Sequence, residues 1–180
     1  MIDGYHTLGM IEYHCPEIKL IPLVDCTKHS INDTNFDWLK SSIDTALANN
    51  KKVAIIGGGA AGFFAALSAK HHHPGASVSL FEKTSKVLSK VKISGGGRCN
   101  VTNATYDINT LCNAYPRGGK QLKNIFYHFN TTDTQAWFEN RGVPLKTEPD
   151  GRVFPVSNQS QSIIDCLESE AKKLGVDIIY

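Results

Sequence analysis

The sharpest hydrophobic pattern in the chain begins at residue 53. Val-Ala-Ile-Ile at 53–56 is a short, unbroken apolar run of the kind found in a strand buried on both faces, and glycines follow it at once. Residues 60–69 then read as a helix that Pro and Gly end near 71–75. Val-Ser-Leu-Phe at 78–81 reads as a second buried strand with Glu82 at its C-terminal end. Further on, residues 121–129 and 134–140 predict short helices, and 145–156, with Pro-Asp-Gly at 149–151, predicts a β-hairpin. Ile163, Leu167 and Ala171 give 162–174 a helical spacing, Gly175 stands at the expected stop, and 176–180 forms a last apolar run. The pattern predicts an α/β fold with parallel strands near 53–56, 78–81 and 176–180.

Residues 1–50 have a different texture. Ile18, Leu20, Pro22 and Val24 alternate with period two, and Pro22 would confine such a strand to a sheet edge. A polar run at 30–35 reads as a loop. Phe36, Leu39, Ile43 and Leu47 fall near helical spacing behind an approximate capping box of Thr34 and Asp37. The expected division is an N-terminal extension, residues 1–50, and a domain portion, residues 51–180.

Composition narrows the classes. With 41% hydrophobic and 20% charged residues the chain is ordinary globular material, which excludes disorder and collagen. Nineteen basic against 17 acidic residues leave +2, so no nucleic-acid partner is implied. The uncharged stretch 53–69, flanked by Lys51, Lys52 and Lys70, could pass on hydropathy as a short membrane span. Four glycines in its middle instead suit a strand that turns into a helix, and no membrane partner is expected. Five cysteines without a C-x-x-C pair suggest neither a disulfide framework nor a zinc ribbon. With no basic, apolar leader at the start, a cytoplasmic location is expected. His71, His72 and His73 lack further ligands at metal-binding spacing, so no metal is expected.

The candidate chemistry sits in two glycine-rich segments. Gly57, Gly59 and Gly62 form G-x-G-x-x-G between the first strand and its helix, the context that gives this short motif meaning. Gly57 suits the tight turn, Gly59 the approach of backbone to a pyrophosphate, and Gly62 close packing of helix on strand. Glu82, 25 residues after Gly57, stands near the spacing of a carboxylate that accepts hydrogen bonds from a ribose 2′-OH. G-x-x-x-x-G-K-[ST] is absent, which disfavours phosphoryl transfer. The motif by itself does not separate FAD from NAD.

The second segment is Ser94-Gly95-Gly96-Gly97-Arg98-Cys99-Asn100-Val101-Thr102-Asn103. Its backbone could lie against a planar or anionic ligand, with Arg98 offsetting phosphate charge and Asn100 or Asn103 bonding a ring or ribityl group. Cys99 has no partner thiol nearby, Cys112 being thirteen positions away, so dithiol chemistry is not expected and Cys99 reads as a small loop residue. Trp137, Phe138, Phe126 and Phe129 read as core. No general acid or base is assignable.

These residues carry a resemblance. The block 53–62, the strand ending Phe81-Glu82-Lys83 and above all Ile93 with S-G-G-G-R-C-N-V-T-N resemble the N-terminal half of bacterial NAD(P)/FAD-dependent oxidoreductases of the aminoacetone-oxidase-like, or YhiN-like, group. The resemblance runs from about residue 51 to 180. It implies a Rossmann-like FAD-binding domain: a parallel sheet with flanking helices and a β-hairpin insertion, incomplete at its C-terminus. Gly57, Gly58, Gly59, Ala60, Ala61 and Gly62 would meet the pyrophosphate, and Glu82 with Lys83 the adenosine ribose. Ser94, Gly95, Gly96, Gly97, Arg98, Cys99, Asn100 and Asn103 would lie near the flavin end.

The implied activity is hydride transfer between a small-molecule substrate and flavin, with NAD(P)H as electron donor of the intact enzyme. The alternatives are an NAD-binding dehydrogenase fragment and a non-catalytic nucleotide-binding remnant. The chain departs from the group by about fifty extra residues at its start and by stopping where members continue, so a fragment is expected. The first strand would then be left as an apolar edge, which the 18–24 run could cover.

Overall fold

The computed structural model describes residues 52–180. The extension 1–50, with its expected strand at 18–24 and helix at 36–47, lies outside the described residues. The described chain forms two compact units, one of residues 52–87 with 171–180 and one of residues 88–170.

The first unit holds a parallel three-stranded sheet in the order β1 (Val53–Ile56), β2 (Val78–Phe81), β6 (Val176–Ile179). Val53 pairs with Val78, and Val78 in turn with Val176. Parallel neighbours cannot be joined by a tight turn, and α1 (Ala60–His72) supplies the β1–β2 crossover. It buries Gly62, Phe63, Ala66 and Leu67, a stripe at helical spacing, against Ile55, Val78 and Leu80 of the sheet level. Three residues separate β1 from α1, so the helix starts hard against the strand. A Cβ on Gly62 would overlap the Gly57 carbonyl oxygen and stand 3.2 Å from Leu80 Cδ1.

The uncharged stretch 53–69 thus folds as strand, turn and helix, and no described helix is long and apolar enough to cross a membrane. Among the described residues β1 pairs with β2 alone and stands at one end of its sheet, with Ile56 half exposed. Its run is therefore not buried on both faces throughout. Helix α1 extends three residues past the expected Ala69, its last turn closed by His73 N–H on the Ala69 carbonyl, while the Lys70 ammonium reaches forward to the Pro74 and Ala76 carbonyls of the following turn at 3.1 and 2.9 Å.

The second unit carries an antiparallel sheet, β3 (Thr102–Asn103), β5 (Arg152–Pro155) and β4 (Leu145–Thr147), in that order. The expected hairpin is β4–β5, closed at Glu148 and Gly151, whose φ of 81° only glycine adopts readily. Helices α2 (Ser89–Ile93), α3 (Ile108–Asn113), α4 (Gly119–His128) and α5 (Thr131–Glu139) fill the unit, and α6 (Ser160–Leu174) leads to Gly175 and β6. Two of these, α2 and α3, are additions to the sequence reading. Helix α5 begins three residues early because Asn130 and Asp133 form a reciprocal capping box. Val153 and Phe154 are fully buried and Phe138 is nearly so, but Phe129, expected in the core, is 40% exposed.

Substituting Gly62→Ala forces α1 away from the turn and from Leu80. We expect a loss of about 1–3 kcal/mol from overpacking, read as a lower urea midpoint at unchanged slope.

Candidate functional site

Between β1 and α1 the backbone offers donors rather than side chains. Gly57, at φ 106°, donates its N–H to the Phe81 carbonyl at 2.7 Å, one step beyond the last strand residue. Gly59 caps the helix in extended conformation, its carbonyl receiving Phe63 N–H at 3.0 Å, and no side chain caps the amides of the first turn. Among the described residues, the N–H groups of Gly59, Ala60, Ala61 and Gly62 find no protein acceptor. Gly59, Ala60 and Ala61 are exposed, and no acidic residue sits in the first turn. Open amides and the positive end of the helix dipole together favour an anion there.

The three motif glycines have separable reasons. Gly57 is required by its dihedral angle and Gly62 by the contact described above. Gly59 has neither reason: its φ of −86° suits any residue, and a Cβ built on it meets nothing within 4 Å. Among the described residues neither torsion nor crowding asks for glycine at 59, and what remains is its N-cap place, where glycine serves better than alanine but no better than serine or asparagine.

Glu82 closes one side of the turn. Its Oε2 accepts the Gly58 N–H at 2.9 Å, and its Oε1 accepts both the N–H and the hydroxyl of Thr84, each at 2.9 Å. These bonds stabilise the charged form, so the Gly58 amide first, then Thr84, hold the Glu82 carboxyl below its ordinary value of 4.5. A carboxylate oxygen takes about two donors, so Oε2 keeps capacity for one more. Gly58 is buried beneath this group, where a Cβ would stand 2.6 Å from Val87 Cγ1. Lys83 is exposed next to Glu82.

The second glycine-rich segment belongs to the second unit and is not a loop throughout. Ser94–Gly97 form a 3-10 turn, and Thr102 and Asn103 pair with Val153 and Arg152 as β3. Gly95, Gly96, Gly97 and Cys99 all have left-handed backbone, at φ 55°, 68°, 84° and 61°. For Cys99, which has a Cβ, that conformation costs about 1–2 kcal/mol. The Cys99 side chain is buried, and burial pushes its thiol up, partly offset by a hydrogen bond with Ser94. It is a neutral, enclosed thiol.

The polar side chains of this segment turn to their own unit. Arg98 stacks on the Phe154 ring and pairs with Glu148, which departs from a free phosphate-facing charge. In the orientation that satisfies its surroundings, the Asn100 amide nitrogen donates to the Thr102 and Val153 carbonyls at 2.9 and 3.2 Å. Asn103 accepts the Thr105 hydroxyl at 2.6 Å, and Ser94 donates to the Val91 carbonyl. Sequence reasoning missed Thr84, Val87, Glu148 and Phe154. Only Thr84 left a local signal, a hydroxyl two residues after a carboxylate.

Residues 51–180 match the HI0933-like protein Rossmann domain. The chain belongs to this family. Two curated relatives share part of the sequence. A 3-dehydro-bile acid delta(4,6)-reductase of Clostridium scindens is 31% identical over 103 residues, 57% of this chain and 24% of that protein. A ribosomal RNA dihydrouridine synthase of Haemophilus influenzae is 30% identical over 105 residues, 58% of this chain and 25% of that protein. The chain thus matches about a quarter of the length of these relatives. Among solved structures, Thermovibrio ammonificans THI4 superposes with a TM-score of 0.44 at 14% identity, over 84% of this chain and 47% of that one.

The Glu82 bonds carry a pH signature. Because its folded pKa lies below 4.5, Glu82 contributes stability that is complete above that value and lost as pH falls through the lower, folded one. Urea midpoints measured from neutral pH into the acid range should fall more steeply for the wild type than for Glu82→Gln, which cannot titrate. Parallel curves would remove this assignment.

Proposed function

We propose that this chain is the nucleotide-binding part of a cytoplasmic FAD-dependent oxidoreductase of the YhiN-like group, acting on a small-molecule substrate with NAD(P)H as the source of electrons. The observation that carries the proposal is the open turn at Gly59: an exposed glycine required by neither its torsion nor its described neighbours, set among amides with no acceptor among the described residues. A diphosphate lying on the amides of Gly59, Ala60 and Ala61 supplies both the missing acceptors and the reason to omit a Cβ there. The donor set fits the group, since the site offers N–H donors and a helix dipole where two phosphate charges would rest.

Glu82 would take the adenosine ribose hydroxyl on Oε2, held in place by Gly58 and Thr84. The same carboxylate would repel a 2′-phosphate. The residues Ser94–Gly97, Arg98, Cys99, Asn100 and Asn103 are assigned to the flavin end on the strength of the S-G-G-G-R-C-N-V-T-N resemblance, which is also what favours FAD over NAD. Bound flavin would supply the hydride chemistry, and the protein's part is to bind and orient it.

Visible absorption of the purified 180-residue chain, followed by titration with FAD and with NAD, tests this reading. Uptake of FAD with a flavin spectrum is expected, and Gly59→Ser, which adds a Cβ but keeps a good N-cap residue, should weaken it at least about tenfold while leaving the thermal midpoint nearly unchanged. Tight NAD binding without flavin affinity would replace it with the dehydrogenase reading. Binding of neither would favour a nucleotide-binding remnant.

A further inference from the structure

We infer that Arg98 is a positioning residue for the glycine-rich segment, not a ligand of the cofactor's phosphates, and that Phe154 and Glu148 are the parts of the second unit that fix it. The inference rests on the reading above only in taking this segment to serve the cofactor. Its structural content stands on the second unit alone.

Three observations converge on Arg98. Its guanidinium carbon lies 3.9 Å from the centroid of the Phe154 ring, so one planar face is occupied by an aromatic partner. Its Nη1 donates to Glu148 Oε1 at 2.5 Å, so one arm of the fork is already engaged by a carboxylate. The charge around it is also balanced: Glu148 Oε2 lies 3.6 Å from Arg152 Nη2, and Arg152 Nε donates to Asp150 at 2.7 Å. Within this cluster two arginines and two carboxylates cancel, so it carries no net positive charge of its own.

What this arrangement holds is the backbone. A Cβ on Gly95 would stand 2.9 Å from Phe154 Cε1 and 2.8 Å from the Asn100 nitrogen, so the chain at 95 lies flush on the same ring that Arg98 covers. From there Cys99 N–H donates to the Ser94 carbonyl at 3.0 Å and Val101 N–H to Val153 at 2.9 Å. The left-handed turn at 95–99 is thereby tied at both ends, to itself and to β5. The glycines take the left-handed region without strain, but Cys99 does not, and a strained residue persists only where its surroundings over-determine it; the fully buried Phe154 ring with Arg98 stacked on it is that surrounding.

The two roles for Arg98 predict opposite behaviour in conservative variants. A lysine keeps the charge but lacks the planar fork and stacking face. If the charge itself served a phosphate, Arg98→Lys would bind FAD nearly as the wild type does, and Glu148→Gln would leave affinity unchanged or raise it by freeing the arginine. For a positioning residue, both variants should weaken FAD about tenfold, and the double variant should be no worse than either, because the two act as one unit.

Amide hydrogen exchange at Cys99 and Val101 reads the same device without ligand. Exchange there should quicken about tenfold in both variants while the amides of β2 keep their protection. Unchanged exchange at 99 and 101, or wild-type FAD affinity in Arg98→Lys, overturns the inference. If the wild-type chain takes up no FAD, that failure belongs to the cofactor reading, and the exchange result then decides the role of Arg98 by itself.

Discussion

A helix that begins three residues after a strand has to lay its first turn across that strand's exit, and the distance it keeps is set by what projects from the crossing point. At Gly62 nothing projects, so the helix closes onto the Gly57 carbonyl and the Leu80 side chain. That approach orients the first-turn amides outward beside the end of β2 and brings Gly58 within bonding distance of Glu82. Hydrophobic packing and ligand chemistry are thus linked through one missing methyl group. Widening the gap would move every donor at the turn together, since all belong to one rigid backbone segment.

The two units use glycine for different ends. In the first, glycines let backbone approach backbone and leave donors open to an anion, with a carboxylate fixed at the rim by three donated bonds. In the second, they let the chain follow a left-handed path against an aromatic ring, and the nearby charges cancel among themselves. The first segment is an electrostatic device and the second a shaped surface.

Much of the first unit was legible because its signals are local. The runs at 53–56 and 78–81 are short, apolar and flanked by turn residues, and the strands have those bounds. The β4–β5 hairpin was announced by Pro-Asp-Gly. What escaped lies at larger separations or in weaker signals. Helix α2 has five residues and no side-chain cap, so periodicity had nothing to register. Helix α3 carries a cap, Thr110 N–H to the Asp107 carboxylate, but in a polar stretch too short for apolar periodicity to mark a helix behind it. Arg98 was read as a free charge because its partners, Glu148 and Phe154, lie some fifty residues on in the hairpin. Residue type told where chemistry could occur, but not which side chains the fold would commit to one another.

Position 99 shows what such commitment does to the choice of side chain. Its left-handed backbone favours glycine, while its burial favours something that fills space. Removing the side chain would relieve the dihedral angle by about 1 kcal/mol and open a void of similar consequence, so the two terms nearly cancel. A larger residue would suffer on both counts, and an amide such as asparagine, which tolerates the angle, would have to be enclosed with its polar atoms satisfied. Cysteine is a narrow compromise between torsion and volume, and its thiol is there as bulk rather than as a reagent.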